Sequence, residues 1–353
     1  MQADQLEPLV EVTRGEIVES IHFGAFCMVD SRGNLLAHQG SPELITYPRS
    51  SLKPLQVLPL IERGGPQAFG FDDEEIAIMC GSHAGTDRHR AVLERMHRKI
   101  GVTEADLACG VHWPYDTETR EAMQKEGKAP TTLHHNCSGK HTGMLAQAVL
   151  REVSTQNYLD LSHPVQVAIR EVVGEMVGMD PEHLPVGVDG CSAPVYGVSM
   201  VAMAHAIAKM ADPVGLGEAR QSACRKVTAA MIQQPFMVAG PGQFDTDLMS
   251  AARGKVFSKA GAEGYQVIGV LPGVITENSP GVGIAIKISD GDARSRARTS
   301  VSLTLLEGLS VLEENELSQL GNYGNVPVKN WRKLEVGAVR PIFSLPELTA
   351  IWS

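Results

Sequence analysis

The sequence predicts an α+β fold, because strand-patterned blocks stand at both ends and helical periodicity fills the middle. At the front, residues 8 to 40 read as β-structure. "GAFCMVD" and "LLAHQG" flank the turn Ser31-Arg32-Gly33-Asn34 as a hairpin would. Beyond Gly240, "KVFSKAG", "YQVIGVL" and "GVGIAIKI" read as three consecutive strands, neighbours in an antiparallel sheet. Long runs of one element type favour α+β over strict βαβ alternation. The two strand blocks are expected to share one sheet, with the helical block inserted as a second lobe. The boundaries that follow are 1–55 with 235–353 for the sheet domain and 56–234 for the helical domain, with the active site expected where they meet.

The elements between the strand blocks follow from their own signals. "LKPLQVLPLIERGG" carries apolar residues at Leu52, Leu55, Leu58 and Ile61 and stops at paired glycines. Pro54 suits only the first turn of that helix, so Ser50 falls at or beside its start. "FDDEEIAIMCGSHAGTDRHRAVLERMHRKIGV" reads as helix, tight turn, helix, the turn being Gly81 to Gly85. "GKHTGMLAQAVLREV", "PVQVAIREVVGEMVG", "VYGVSMVAMAHAIAKMA" and "EARQSACRKVTAAMIQQ" follow as helices, and "VGVDGCSAP" as a short apolar run entering a loop. A long helix over 293–312 is expected to end the fold. No internal repeat or low-complexity segment interrupts this order.

Bulk properties narrow the function classes. The chain has 353 residues, 43% of them hydrophobic and 20% charged, as in an ordinary globular protein. A net charge of −10 repels a nucleic-acid backbone. No apolar run reaches the length of a membrane span, and the N-terminus lacks the basic-then-apolar pattern of a secretory leader. The six cysteines form neither a C-x-x-C motif nor a disulfide framework. Free thiols and a cytoplasmic location are the expectation.

Four stretches carry chemistry, each with a plainer alternative. Ser50 precedes Lys53 by three residues, so on a helix the amine can reach the hydroxyl and act as its base. The plainer reading is a capping serine, and a chain of this size holds such a spacing by chance. In "CGSHAG" a tight turn presents Ser82, which is otherwise a cap for the next helix; His83 beside it lines a site or is structural. "HHNCSGKHTG" gathers histidines, Cys137 and Lys140 before a helix, without the spacing of a P-loop. "VDGCSAP" adds Asp189 and Cys191, too far along the chain for a local zinc motif, so two buried thiols are the plainer reading. In "FSKAGAEG", Lys259 ends a strand. An S-x-x-K followed by a later K-x-G resembles the signatures of the serine β-lactamase and penicillin-binding fold, although no S-D-N occurs and the third element is K-A-G.

Taken together and in order, "RSSLKPLQ", "CGSHAGTDRHR", "HHNCSGKHTGML", "GVDGCSAPVYGVSM", "GQFDTDLM" and "KAGAEG" resemble the rhizobial-type, class 3 L-asparaginases, the asparaginase II family. The resemblance runs from "VEVTRG" to the strand "GVGIAIKISDG" and the helix after it. It implies a β-lactamase/glutaminase-like fold and hydrolysis of the side-chain amide of L-asparagine by a homodimer. It also implies two serine–lysine pairs in one site, Ser50 with Lys53 and Ser82 with Lys259. It further implies a zinc site held by Cys137, Lys140 and Cys191 and supported by Asp189. Arg49, His83, Asp189 and the backbone near Ala262 are the implied substrate-binding positions. A glutaminase of the same fold is the first alternative, since one methylene separates the substrates. A zinc- or amino-acid-binding protein without catalysis is the second, and a threonine amidohydrolase exposed by chain cleavage the third.

Overall fold

The computed structural model describes residues 1–345; the last residues of the expected sheet domain, 346–353, lie outside the described residues. The fold is α+β with antiparallel strands, in two compact units. One unit comprises Met1–Ser51, Val198–Val214 and the described chain from Leu248 onward; the other comprises Leu52–Gly197 and Gly215–Asp247.

The first unit is built on an eight-stranded sheet. Its path runs from Val326–Lys329 through Glu335–Pro341, Glu7–Arg14, Ile17–Asp30, Val282–Ile288 and Tyr265–Val270 to Val256–Ala260, with Leu35–Gln39 paired to Ile17–Asp30. The front and rear strand blocks do share this sheet. Cys27 stands opposite Ala285, and Ala285 opposite Val267. Every residue of Val282–Ile288 is buried, which requires cover on both faces. The helices Met200–Ala211 and Ala297–Gly308 pack against it. Gly283 permits the closest approach, since a Cβ there would lie 1.9 Å from the carbonyl oxygen of Ala204. The helix containing Ala204 therefore belongs with the sheet, although its sequence neighbours place it in the helical block. Two further differences from expectation concern the rear. The long helix covers only Ala297–Gly308, because Asp292 accepts backbone N–H groups from Arg296, Ala297 and Arg298 and so turns the chain into it. Nor does that helix end the fold, since two more strands follow it into the sheet.

The second unit is mostly helical. The Lys53–Glu62 helix is buried from Lys53 to Leu60 and packs against Asp73–Cys80, Ser138–Leu150, Pro164–Val177 and Glu218–Gln233. Pro54 sits in its first turn as required, and Pro59 is carried within it. Local signals set the other boundaries. Asp72 and Glu75 form a capping box, Thr86 caps Asp87–Ile100, and Gly101 ends that helix in the left-handed conformation. Among the described residues, no helix is long and apolar enough to cross a membrane.

Candidate active site

In the second unit, the amine of Lys53 meets the turn between two helices. Lys53 opens its helix and is fully buried. Its Nζ stands 2.5 Å from the carbonyl of Gly81, 3.0 Å from the hydroxyl of Ser82 and 3.4 Å from the carbonyl of Asn136. Two carbonyls hold two N–H groups. The third position of the amine is on the Ser82 hydroxyl, within reach of proton exchange. The turn itself is held by the Ser82 N–H, which donates to Val238. Thr86, not Ser82, caps the following helix, so the Ser82 hydroxyl is left for Lys53.

His83 points the other way. It is fully buried, its Nε2 lies 2.8 Å from the Ser138 hydroxyl, and its Nδ1 accepts the Gly85 N–H. Since that hydroxyl donates to Leu133, the imidazole carries its proton on Nε2. Burial first, then the neighbouring His89 and Lys53, hold this ring well below the usual histidine range.

Beside Lys53 lies a cluster of sulfur and nitrogen. Cys137 is the N-cap of Ser138–Leu150, and Lys140 lies three residues on, above it on the same helical face. Gly139 between them brings this helix against Asp73–Cys80, since a Cβ there would lie 2.2 Å from the carbonyl of Ile78. Cys191 comes from the tip of the hairpin joining Val186–Val188 to Pro194–Tyr196. Asp189 opens that tip and Ser192 turns it with a φ of 68°. Both cysteines and Lys140 are buried, and the Lys140 amine donates to the Cys191 sulfur at 3.0 Å. The Cys137 thiol is held well below its usual range, chiefly by a hydrogen bond from Cys191 and further by Lys53 and Lys140, against its burial. Its partner Cys191 is pushed up by that same hydrogen bond and by burial. Burial works to lower Lys140, but Cys191, Cys137 and Asp189 outweigh it and raise this amine. These opposite shifts run in the direction in which a buried thiolate and a buried ammonium stabilise each other.

Among the described residues, no three or more His, Cys, Asp or Glu side chains surround a point where a metal could sit. The set at hand is two sulfurs and one amine nitrogen, donors that suit zinc. The helix N-terminus favours the thiolate form that binding requires.

In the first unit, Ser50 lies half-buried in the 3-10 turn Arg49–Leu52. Leu52 is the N-cap of the helix that follows, without a side-chain cap bond, so Ser50 is not a capping residue. Arg49 holds a φ of 54°, a left-handed conformation that a side chain with a Cβ adopts at a cost of about 1 kcal/mol. Ser51 is fully buried and donates its hydroxyl to the carbonyl of Lys259 at 2.8 Å, which fastens this turn to the end of Val256–Ala260. Lys259 is fully buried, with its amine 2.6 Å from the carbonyl of Ala260. A Cβ on Gly261 would lie 2.3 Å from the carbonyl of Pro48, so the glycine of "KAG" is a packing requirement. Arg298 donates to the carbonyl of Gly261 at 3.1 Å, and Ala262 follows as an exposed residue.

The structure thus brings Lys53 to Ser82, and gathers Cys137, Lys140 and Cys191 with Asp189 acting on the lysine. Asn136, whose carbonyl meets Lys53, and Ser51 and Arg298, which brace the Lys259 strand end in the first unit, are backbone and packing partners that no spacing rule picks out.

The sequence matches the L-asparaginase II family across residues 10–341. The comparison with curated protein sequences finds no match. Among solved structures, a probable glutaminase from Bacillus subtilis complexed with 6-diazo-5-oxo-L-norleucine aligns at 14% identity and a TM-score of 0.42, covering 82% of this chain and 84% of that one. A Bacillus glutaminase in 4.3 M NaCl aligns at 12% identity and a TM-score of 0.39, covering 82% and 91%. The family match gives the class of the protein as an amidohydrolase. The chain belongs to the L-asparaginase II family.

Proposed function

We propose that this protein hydrolyses the side-chain amide of L-asparagine to L-aspartate and ammonia by acyl transfer to a serine. The observation that carries the reading is the Lys53 amine on the Ser82 hydroxyl, with both remaining N–H groups taken by carbonyls. One serine must carry the acyl group, and another can pass protons with lysine. Its bond to Lys53 supports the proton-passing role for Ser82, which leaves Ser50 to carry the acyl group. The Ser50 oxygen adds to the amide carbon as its proton passes to the Ser82–Lys53 pair, which returns it to the amide nitrogen as the C–N bond breaks and ammonia leaves; water then splits the β-aspartyl ester, its proton restoring the Ser50 hydroxyl. The backbone N–H groups of Ser50 and Ala262 are the candidate oxyanion donors. Lys259 serves as the second buried amine, with its strand end fixed by Ser51. Arg49 and Asp189 are the candidates for the α-carboxylate and α-amino groups of the substrate.

Cys137, Lys140 and Cys191 would hold zinc. Bound there, zinc supplies a cross-link between a helix start and a hairpin tip, and so fixes the walls of the site. Family membership also supports a homodimer, which light scattering on the purified chain would test.

The experiment is ammonia release from L-asparagine and L-glutamine, with adduct mapping by mass spectrometry after treatment with an asparagine-shaped diazoketone. Asparagine turnover with the adduct on Ser50 is the expected result. An adduct on Ser82 would exchange the two serines. Faster turnover of glutamine would favour the glutaminase alternative. No ammonia from either amide would sink the reading.

A further inference from the structure

His141 follows Lys140 in the sequence, is fully buried, and has no role in the scheme above. Its Nδ1 lies 2.6 Å from the hydroxyl of Tyr158, itself buried. That hydroxyl already accepts the N–H of Ala108 at 2.9 Å. A buried phenol needs an acceptor for its own proton, and His141 Nδ1 is the group within reach. The tautomer follows: Nδ1 carries the lone pair and Nε2 carries the hydrogen. The Nε2 atom is buried and has no hydrogen-bond partner. With Nδ1 taken by Tyr158, Nε2 is the ring nitrogen left for Cys191, whose interaction with the ring opposes the lowering by burial. That sulfur already takes the Lys140 amine at 3.0 Å. A protonated Nε2 cannot ligate a metal, and His141 does not join the two cysteines around a common point.

We propose that His141 is a positioning residue of the metal site: its Nε2–H donates to the Cys191 sulfur when that sulfur is a zinc ligand, and Tyr158 fixes the tautomer that makes this possible. The inference rests on the zinc reading above. An N–H aimed at a ligating sulfur orients the lone pair that binds the metal and spreads the charge of the thiolate. Replacing the donor leaves all three ligands in place, so its effect is graded and not all-or-none.

The test is zinc affinity of the full chain, measured by competition with a chromophoric chelator. His141→Leu should weaken zinc by about 10–100-fold. His141→Gln, whose side-chain amide offers an N–H near the place of Nε2, should restore most of the loss. Tyr158→Phe removes one oxygen, keeps the ring, and should also weaken zinc; it carries the test if His141→Leu fails to fold. In the cobalt-substituted protein, the sulfur-to-metal absorption should shift in His141→Leu and return in His141→Gln. Long-range proton–nitrogen NMR should show His141 protonated at Nε2. Unchanged affinity in both His141→Leu and Tyr158→Phe, or a proton on Nδ1, would overturn the inference while leaving zinc in place. A folded wild type that binds no zinc would overturn the metal reading and this inference with it.

Discussion

The amine of Lys53 stands 3.0 Å from the hydroxyl of Ser82, a residue 29 positions further along the chain. The contact is made by packing one helix start against an interhelical turn. It is held from behind by the Gly81 and Asn136 carbonyls, so the amine cannot swing away without leaving them unpaired.

Lys53→Met keeps the aliphatic stem and removes the proposed base. Amide turnover should fall by about 10²–10⁴-fold in kcat, the range for a lost general base, with a smaller change in KM. Ser82→Ala should fall in the same range. Steady-state ammonia release checks both. A Lys53→Met variant that keeps more than a tenth of wild-type kcat while folded would remove this pair from the chemistry.

That contact marks the boundary of what the sequence reveals. The strands after Gly240 are legible because each apolar run is closed by a turn residue. Val326–Lys329 and Glu335–Pro341 are not: the first alternates half-buried and exposed residues and contains Pro327, and the second has one buried residue, Val339. Residue spacing offers Ser50 to Lys53 and a capping role to Ser82. The cap goes to Thr86 instead, and only the packing of the second unit sends Ser82 to Lys53. Cys137 and Lys140 share a helix face that spacing does reveal. Cys191 arrives from a distant hairpin, which motif order across a family can reveal and local spacing cannot. His141 is harder still, since its meaning depends on the Tyr158 hydroxyl and the Ala108 N–H.

Zinc binding should release protons. The neighbouring thiols raise the Lys140 amine, against burial, and the amine must lose a proton to bind a metal. Cys191, held up by its bond to Cys137, must lose one as well. Apparent zinc affinity should therefore rise with pH through the neutral and mildly alkaline range. Calorimetric titration in buffers of different ionisation enthalpy counts the protons released. A count of zero would contradict this ligand set.

Glu75 tests what holds the second unit together. Its carboxylate is fully buried and takes Arg95 at 2.9 Å and Lys99 at 2.6 Å, which ties Asp73–Cys80 to Asp87–Ile100. Glu75→Ala strips both cations of a partner and removes the capping box with Asp72. The expected cost is about 3 kcal/mol, the lower end for a broken buried pair, because Arg95 and Lys99 still reach solvent. Urea unfolding should show a lower midpoint with the same slope. A shift below about 1 kcal/mol would place this network among surface pairs.

His89 makes the second unit sensitive to acid. Its ring stacks between His83 and Phe236. The Thr86 hydroxyl lies 2.7 Å from Nδ1, and Nε2 donates to the Phe236 carbonyl at 2.9 Å, so the neutral ring is satisfied at both nitrogens. Burial pushes it from the usual 6.5 to about 4, with the Phe236 carbonyl opposing and Arg88 adding to the fall. The sign follows from proton uptake. Between pH 6.5 and 4 the unfolded chain binds a proton that the folded chain refuses. Its contribution is whole above pH 6.5, declines by about 1.4 kcal/mol per pH unit below it, and levels off once the folded ring is itself protonated. His89→Gln has no such proton to bind in either state. Urea midpoints measured at pH 7.5, 6 and 5 should therefore fall less steeply in the variant, by the equivalent of one proton. Parallel curves for wild type and His89→Gln would show that His89 takes up its proton equally in the folded and unfolded chain, and would refute the burial argument made for it.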